Sequence, residues 1–445
     1  MLDPNLLSSR NLEIDRIMDT YLTSNSTIYL GCIQIAHQLV DAVLQRVQSG
    51  QVTHVRALGG WVYGDHDFSS LGTIPENFQY QTIFSGVNER AGFPSGLVSP
   101  LPNTFSGLSR VISTLPECGP TQTGAAIDVA FIQTTPPNNQ GVCSIGPLGM
   151  TADAVAHAHT IVAQFNSQLP FVDSPGFTLP LERISAYIEH DEACYVFPKP
   201  VPTAEDRQIA QVLEPLIPDG SCIQLGIGSL PNAIGEALQT KRHLGAYTEM
   251  LGDTYMELIQ SGAMDNSVKS YLPGTTVAGF AYGTEELYRF THDNPGHTYF
   301  SYSDICNPAR IALNDNLVSI NTAIAVDLGG QVCAESIGHR YFSGTGGQLD
   351  FVRGSQMATG GRSFLAFSSV AHTKEGPVSK ISATLAPGSV VTTPRSEVHY
   401  IATEFGCVNL RGCSVYERAK RLISIAHPDF RDQLAFDAKK AGLLV

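Results

Sequence analysis

The most informative segment of the chain is Cys222-Ile-Gln-Leu-Gly-Ile-Gly-Ser-Leu-Pro-Asn-Ala-Ile-Gly-Glu-Ala-Leu238. Its apolar first half predicts a β-strand that ends in Gly226-Ile-Gly228, and Ser229 can cap a helix whose first turn contains Pro231. Glycines at such a turn let ligand atoms approach the backbone, and the N–H groups of a helix N-terminus favour phosphate or a developing oxyanion. A dinucleotide fingerprint is excluded, because Pro231 replaces its third glycine. Taken alone, the motif is equally compatible with a tight turn without function.

A second strand is predicted at His243-Leu-Gly-Ala-Tyr-Thr-Glu249-Met, and Gly228 and Glu249 are 21 positions apart. A parallel crossover needs about a dozen or more residues, so a helix near residues 231–241 fits between them. Both segments then end at the carboxyl edge of neighbouring parallel strands, where open α/β sheets bind ligands. We therefore expect a carboxylate and an anion-stabilising turn to share one crevice, although a lone glutamate is more often a surface or capping residue.

Two further segments are candidates for ligand contact. Gly344, Gly346 and Gly347 form a loop with little steric bulk, which is suited to lying against an extended ligand. Lys374 is a basic residue on a turn. Each also has a plain interpretation, a surface turn for the loop and a solvated side chain for the lysine.

Strand-like and helix-like segments alternate along the chain, which predicts an α/β fold of two related open domains with largely parallel sheets. Phe197-Pro-Lys-Pro-Val-Pro202 predicts a linker, so we place the domains at residues 1–200 and 203–445. Ile28-Tyr-Leu-Gly31 resembles Ile223-Gln-Leu-Gly226 at an offset of 195 positions. Either the two halves are related or the similarity is due to chance. In the first half, strands are predicted at Thr27–Gly31, Val52–Leu58, Asp128–Gln133 and Thr160–Phe165, and helices at Gln38–Val47 and Met150–Ala158.

Composition excludes several classes of protein. The 445 residues carry a net charge of −14, which argues against nucleic acid as a partner. The nine cysteines include no CxxC pair, which predicts reduced thiols in a cytoplasmic protein. The N-terminus lacks a signal-peptide layout and no apolar run approaches about 18 residues, so we expect no membrane span. The absence of GxSxG disfavours a serine hydrolase, and His157 and His159 lie two positions apart, which is unsuited to a helical metal pair.

The half from about residue 205 to 435 resembles the acetyl-CoA hydrolase/4-hydroxybutyrate CoA-transferase family of family I-type CoA-transferases. The first half resembles it more faintly, in residues 132–146 and 165–170. Ile35-Ala36 stands where relatives often have Glu-Pro, and Thr254 replaces a usual glycine, which puts the acyl pocket in question. The matching stretches of the second half are Gln224-Leu-Gly-Ile-Gly228, Thr248-Glu-Met250, Asn314-Asp-Asn316, Val326-Asp-Leu328, Gly346-Gly-Gln-Leu-Asp-Phe351 and Ile425-Ala-His-Pro-Asp-Phe430.

The resemblance implies the CoA-transferase fold, with the active site at the domain interface, and a glutamyl-CoA thioester formed on Glu249. It implies CoA or acyl-CoA as substrate, with no tightly bound cofactor and no metal. The N–H groups of Gly226–Gly228 are expected to stabilise tetrahedral oxyanions. The residues expected to contact CoA are Gln224, Leu225, Gly226, Ile227, Gly228, Ile324, Gly347 and Lys374.

We therefore predict a CoA-transferase of the 4-hydroxybutyrate type, which moves CoA from acetyl-, butyryl- or succinyl-CoA to a short-chain carboxylate. Three alternatives remain: an acyl-CoA hydrolase on the same fold, a transferase for a dicarboxylate such as itaconate, and a non-catalytic acyl-CoA-binding protein. The intact Glu249 disfavours the last, since binding alone needs no nucleophile. We expect a homodimer or homotetramer.

Overall fold

The computed structural model describes residues 4–64, 66, 68 and 76–445, with the side chains of residues 4–6 excepted. The chain divides into two compact units, one of residues up to Phe197 together with Gly279–Ile305, the other of Pro198–Ala278 together with Cys306–Val445. The division after Phe197 falls within the predicted linker.

Residues Gly279–Ile305 lie in the first unit, whereas the sequence assigned them to the second domain. Long-range contacts explain the difference. The Ala281 N–H donates to the Pro147 carbonyl, and the Ser303 N–H donates to Asp153 Oδ2 at 3.1 Å. Local sequence patterns carry no information about such contacts, so a single linker appeared sufficient to divide the chain.

Up to Phe197, the first unit alternates strands and helices as predicted, with some bounds displaced. The strand predicted at Val52–Leu58 spans Val55–Val62, for example. The elements are α1 (Pro4–Arg10), α2 (Ile14–Tyr21), β1 (Thr27–Ile33), α3 (His37–Gln48), β2 (Val55–Val62), β3 (Phe78–Thr82), α4 (Val87–Gly92), β4 (Val98–Pro100), α5 (Leu108–Ser113), α6 (Leu115–Cys118), β5 (Ile127–Thr134), β6 (Val142–Ser144), α7 (Gly149–Ala156), β7 (Ala158–Phe165), β8 (Thr178–Pro180) and β9 (Ala186–Glu189).

The sheet of the first unit has the strand order β4-β3-β2-β1-β5-β7-β9, and its neighbouring strands pair in parallel. Strand β1 is buried along its whole length, as expected of a parallel sheet covered on both faces. Helix α3 packs on the core through one apolar face, which consists of Leu39, Val40, Val43, Leu44 and Val47.

The remaining elements follow in chain order. Strand β12 spans the division between the units, and α11, β13 and α12 belong to the first. The elements are α8 (Ala204–Leu213), β10 (Cys222–Leu225), α9 (Ser229–Leu238), β11 (Gly245–Leu251), α10 (Asp253–Gln260), β12 (Thr276–Ala281), α11 (Glu285–Thr291), β13 (His297–Tyr299), α12 (Tyr302–Ile305), α13 (Pro308–Ile311), β14 (Leu317–Thr322), β15 (Ala325–Asp327), β16 (Val332–Cys333), β17 (Ser336–Ile337), β18 (Arg340–Tyr341), α14 (Gln348–Met357), β19 (Arg362–Ala366), β20 (Val370–Thr373), β21 (Gly376–Ser379), β22 (Ile381–Ser382), β23 (Tyr400–Thr403), β24 (Gly406–Asn409), α15 (Val415–Ser424) and α16 (Pro428–Lys440).

Within the second unit, neighbouring strands follow the order β11-β10-β14-β19-β23-β24. The pairs from β11 to β23 are parallel, and β24 turns back antiparallel. Strand β10 therefore lies between β11 and β14, just as β1 lies between β2 and β5 in the first unit. The shared strand order supports related halves, and the predicted α/β class with largely parallel sheets is confirmed.

All nine cysteines are free, and five of them are buried, as the sequence predicted. Among the described helices, none has the length and apolar character needed to cross a lipid bilayer.

Candidate active site

The turn after β10 is built much as predicted. Gly228 has φ +124° and ψ −170°, a conformation that essentially only glycine adopts. Helix α9 begins at Ser229 with Gly228 as its N-cap, so the predicted capping role of Ser229 is wrong. The turn lacks an N-cap side chain, and the first N–H groups of α9 face outward without intrahelical partners.

One predicted donor at this turn, the Gly226 N–H, and the neighbouring Leu225 N–H are both used inside the fold. The Gly226 N–H donates to the Ile320 carbonyl at 2.9 Å, because Gly226 continues the pairing of β10 with β14. The Leu225 N–H donates to the Tyr255 hydroxyl at 2.7 Å. The oxyanion role expected of the Gly226 N–H is therefore wrong, and Ile227 and Gly228 are the residues of this turn that line a cavity.

The Gln224 side chain is buried and makes three hydrogen bonds within the sheet. Its Nε2 donates to Asn321 Oδ1 at 3.1 Å, and its Oε1 accepts from the Ser319 hydroxyl at 2.6 Å and from Asn321 Nδ2 at 3.0 Å. This network fixes the ends of β10 and β14 side by side, so the Gln224 side chain orders the turn that follows.

Glu249 lies on β11 near its carboxyl end, beside β10 as predicted. Cys306 Sγ lies 3.6 Å from Glu249 Oε2. A Cβ atom added to Gly347 would overlap the same oxygen and would lie 2.7 Å from Cys306 Sγ. The carboxylate is thus enclosed by groups that leave no space for a further carbon atom, although the residue as a whole is partly exposed.

This enclosure shifts the protonation of Glu249. Removal from water raises the pKa of the carboxyl to about 7, and the charge of Asp350 raises it further, while hydrogen bonds from Cys306 and the Gly347 backbone oppose the rise. A pKa near neutrality is typical of residues with a catalytic task. The group is more basic than an ordinary glutamate and is ionised in a substantial fraction of molecules at neutral pH.

A cavity of about 890 Å³ follows the carboxyl ends of β10, β14, β19 and β23, the sheet edge at which we expected a ligand. A hydrogen bond of 2.7 Å from Gln348 Nε2 to the Thr322 carbonyl joins the loop beside Glu249 to the cavity wall. The lining residues are Thr203, Glu205, Asp206, Gln208, Ile227, Gly228, Ser229, Leu230, Thr322, Ala323, Ala366, Phe367, Ser368, Val370, Ala371, His372, Pro377, Lys380, Glu404, Phe405, His427, Asp429 and Phe430.

The structure brings Ile227 and Gly228 to the cavity and Gly347 to Glu249, but it leaves the other predicted contacts apart. Ile324 lies beyond the wall, where its N–H donates to the Cys333 carbonyl at 2.8 Å. Lys374 is exposed at the tip of the β20–β21 hairpin and is not among the lining residues.

Lys380, six positions after Lys374, is a lining residue that sequence analysis missed. Its Nζ donates to the Ser368 hydroxyl at 2.9 Å, and burial lowers its pKa while Glu404 and Asp206 oppose the change. Cys306 was also missed, since one cysteine among nine gives no local sign of its neighbour. Among the described residues, no cluster of His, Cys, Asp and Glu could hold a metal ion.

Two family models match the sequence of this chain. Residues 30–198 match the acetyl-CoA hydrolase/transferase N-terminal domain, and residues 283–438 match the C-terminal domain of the same name. The chain belongs to the acetyl-CoA hydrolase/transferase family. The predicted resemblance is thereby confirmed.

Relatives extend the match over most of the chain. A succinyl-CoA:cyclohexane-1-carboxylate CoA transferase of Geobacter metallireducens is 42% identical over 71% of each chain. A 4-hydroxybutyrate coenzyme A transferase of Clostridium kluyveri is 34% identical over 88% of this chain and 87% of that protein. The crystal structure of RipA from Yersinia pestis superposes with a TM-score of 0.86 at 30% identity and covers 99% of both chains.

Substituting Gly347 by alanine tests the enclosure of Glu249. The backbone at Gly347 has φ −93°, which any residue adopts, so the added methyl acts by displacing the Glu249 carboxylate and the neighbouring Cys306 sulfur. Because a misplacement of about 1 Å can cost about 10²-fold in rate, we expect turnover of acyl-CoA to fall by about that factor with little loss of thermal stability.

Gly329→Ala is the matched control, because its Cβ would lie 3.2 Å from the Asp327 carboxylate, which requires only a small adjustment. Activity and melting temperature are to be measured for both variants. Equal activity in the two variants would show that the packing around Glu249 is not needed for chemistry.

Proposed function

We propose that the protein is a CoA-transferase that moves CoA from an acyl-CoA to a short-chain carboxylate through a glutamyl-CoA thioester on Glu249. The observation that carries the proposal is the enclosed Glu249 carboxylate, with its pKa near neutrality, at the sheet edge that also bears the cavity. Membership of the family supports the same chemistry.

The reaction follows from carboxylate chemistry. Ionised Glu249 attacks the thioester carbonyl of the donor, the C–S bond breaks, and the products are a mixed anhydride and the CoA thiolate. The thiolate attacks the glutamyl carbon, which releases the donor's carboxylate and leaves the glutamyl-CoA thioester. An acceptor carboxylate then reverses the sequence, so one hard exchange is divided into easier covalent steps.

The cavity suits the nucleotide part of CoA, because three helices begin at its wall. Helices α8 and α16 carry acidic residues in their first turns, which offset the positive ends of their dipoles. Helix α9 has no acidic residue in its first turn. A phosphate is therefore best placed between the N-terminus of α9 and Lys380.

The far end of the cavity is aromatic. The rings of Phe405 and His427 lie 5.3 Å apart edge to face, and those of His427 and Phe430 lie 6.1 Å apart. Such a group presents ring faces and edges to a flat base, and we assign it to the adenine of CoA. The free thiols of the chain suit a reducing compartment, so we place the reaction in the cytoplasm.

For the acids exchanged, we propose short-chain carboxylates of the 4-hydroxybutyrate and butyrate/acetate type. The 34% identity with the Clostridium kluyveri 4-hydroxybutyrate transferase over most of both chains supports this choice. Dicarboxylates such as succinate and itaconate belong in the same acceptor panel, and exchange confined to them would revise the substrate class.

A CoA adduct on Glu249 is the direct test of the mechanism. Incubation with acetyl-CoA and no acceptor is expected to raise the protein mass by that of CoA bound as a thioester, and Glu249→Ala is expected to abolish the adduct. Glu257→Ala is the control. Glu257 lies on the next helix, α10, and forms an ion pair with Lys199 at 2.6 Å, so its substitution should leave the adduct intact.

The same mixture distinguishes transfer from hydrolysis. A transferase releases little free thiol without an acceptor and shows parallel double-reciprocal lines when one is added. Steady thiol release at an equal rate without acceptor would identify a hydrolase instead. An adduct that persists in Glu249→Ala would remove Glu249 from the mechanism.

Activity should depend on pH through the nucleophile. Because burial raises the pKa of Glu249 to about 7, the carboxyl is protonated and inactive below that value. We expect kcat/KM for acetyl-CoA to fall about tenfold per pH unit on the acidic side and to level off above neutrality. A profile that is flat from about pH 5 to about pH 8 would contradict the raised pKa.

Lys380 and Lys374 form a matched pair for locating the CoA phosphates. Lys380→Gln is expected to raise KM for acetyl-CoA about tenfold while leaving kcat nearly unchanged, and Lys374→Gln to change neither. With acetyl-pantetheine, which lacks the nucleotide, both variants should behave like the unmodified protein. A larger effect of Lys374→Gln than of Lys380→Gln would support the CoA contact predicted for Lys374 from the sequence, and it would place the nucleotide outside the cavity.

A further inference from the structure

Cys306 stands directly beside the Glu249 carboxylate. It has no exposed surface, and its Sγ lies 3.6 Å from Glu249 Oε2, within the reach of a hydrogen bond to sulfur. A thiol is a weak donor and an ionised carboxylate is an acceptor only, so the proton of this contact belongs to the sulfur. The contact is directed at one of the two carboxylate oxygens.

Gly347 lies against the same oxygen, Oε2 of Glu249, on a different side from Cys306. A Cβ atom at Gly347 would overlap Oε2 of Glu249 and approach Cys306 Sγ to 2.7 Å, so the three groups converge at one point. The Gly347 backbone also hydrogen-bonds the Glu249 carboxylate. Two donors from separate segments of the second unit thus act on this side chain.

We propose that Cys306 is a positioning residue, whose S–H donates to Oε2 of Glu249 and leaves Oε1 as the oxygen that attacks the acyl-CoA. The inference rests on the proposed function, because it assigns the two oxygens of the same nucleophile.

The assignment gives each oxygen a distinct fate. Oε1 bonds to the acyl carbon as the C–S bond to CoA breaks. When the thiolate then attacks the glutamyl carbon, the bond from that carbon to Oε1 breaks and the donor's carboxylate departs with Oε1. Oε2 remains as the carbonyl oxygen of the glutamyl-CoA thioester, and the charge that develops on it during the attack faces Cys306. An oxygen of the acceptor later replaces Oε1.

Other titratable groups surround the pair. Asp350 on α14 disfavours ionised Glu249. Tyr247 on β11 lies within electrostatic range of Cys306, and Arg310 on α13 and Tyr271 act on Tyr247. These neighbours are unchanged in a Cys306 variant, so a shift of the Glu249 titration in that variant reports the loss of the thiol donor.

The kinetic test compares Cys306→Ala with Cys306→Ser. Alanine removes the donor, so we expect kcat near neutrality to fall about five- to tenfold. The acidic limb of the pH profile should move to higher pH, because the hydrogen bond that lowers the pKa of Glu249 is lost. KM for acetyl-CoA should stay within about twofold of its original value. Serine keeps a donor and is expected to recover most of the rate.

Cys222→Ala is the control. Buried Cys222 makes a similar contact of 3.6 Å with Asn314 Oδ1, away from Glu249. The Cys222→Ala protein should lose a comparable amount of thermal stability without a shift of its pH profile.

An infrared measurement tests the hydrogen bond without reference to activity. The S–H stretch of Cys306, isolated as the difference between the unmodified protein and Cys306→Ala, should lie at lower frequency than that of a free thiol and should rise in Glu249→Ala. A band that Glu249→Ala leaves unmoved, or a pH profile of Cys306→Ala equal to that of Cys222→Ala, would overturn the role of Cys306. A protein that shows the infrared shift but forms no CoA adduct would refute the proposed function and leave the hydrogen bond established.

Discussion

The parallel pairing of β10 with β11 on one side and β14 on the other is the constraint on which the site depends. Parallel strands end at the same edge of a sheet, so this pairing brings the glycine turn after β10, Glu249 near the end of β11 and Thr322 at the end of β14 to one edge. The buried amide network of Gln224, Ser319 and Asn321 fixes the central pair. Without the parallel pairing of β10 with β11, the turn and the carboxylate would have no fixed separation.

Burial of the Glu249 carboxylate affects both the stability of the folded protein and the reactivity of the carboxylate. Removal of the carboxylate from water raises its pKa to about 7, so between the ordinary value for glutamate, about 4.3, and neutrality the folded state holds a proton that the unfolded chain has released. Stability contributed by this group therefore decreases as pH rises through that range. In the proposed reaction, the same desolvation would make the ionised carboxylate a stronger nucleophile, in keeping with the usual exchange of stability for function at active sites.

The charge around the cavity is set by local groups and not by the acidic composition of the chain as a whole. A net charge of −14 describes the whole surface, whereas binding depends on the few groups that face the ligand. Two of the acidic side chains around this cavity are engaged in the fold: Asp206 accepts from the Thr203 N–H, and Glu404 accepts from Ser369. Lys380 and the N-terminus of α9 are the positive elements that remain directed at the space.

The sequence by itself determined the α/β class, the strand–turn–helix–strand unit from Cys222 to Glu249 and the family, because these depend on local periodicity, on glycine at a turn and on ordered motifs. It could not show that the Gly226 N–H is hydrogen-bonded to β14 or that Gly279–Ile305 belongs to the first unit. Nor could it show that Lys380 rather than Lys374 lines the cavity, or that Cys306 lies against Glu249. Each of these depends on contacts between residues far apart in the chain. Such contacts exist only after the strands have paired, and no local pattern encodes which distant group occupies the space beside a given side chain.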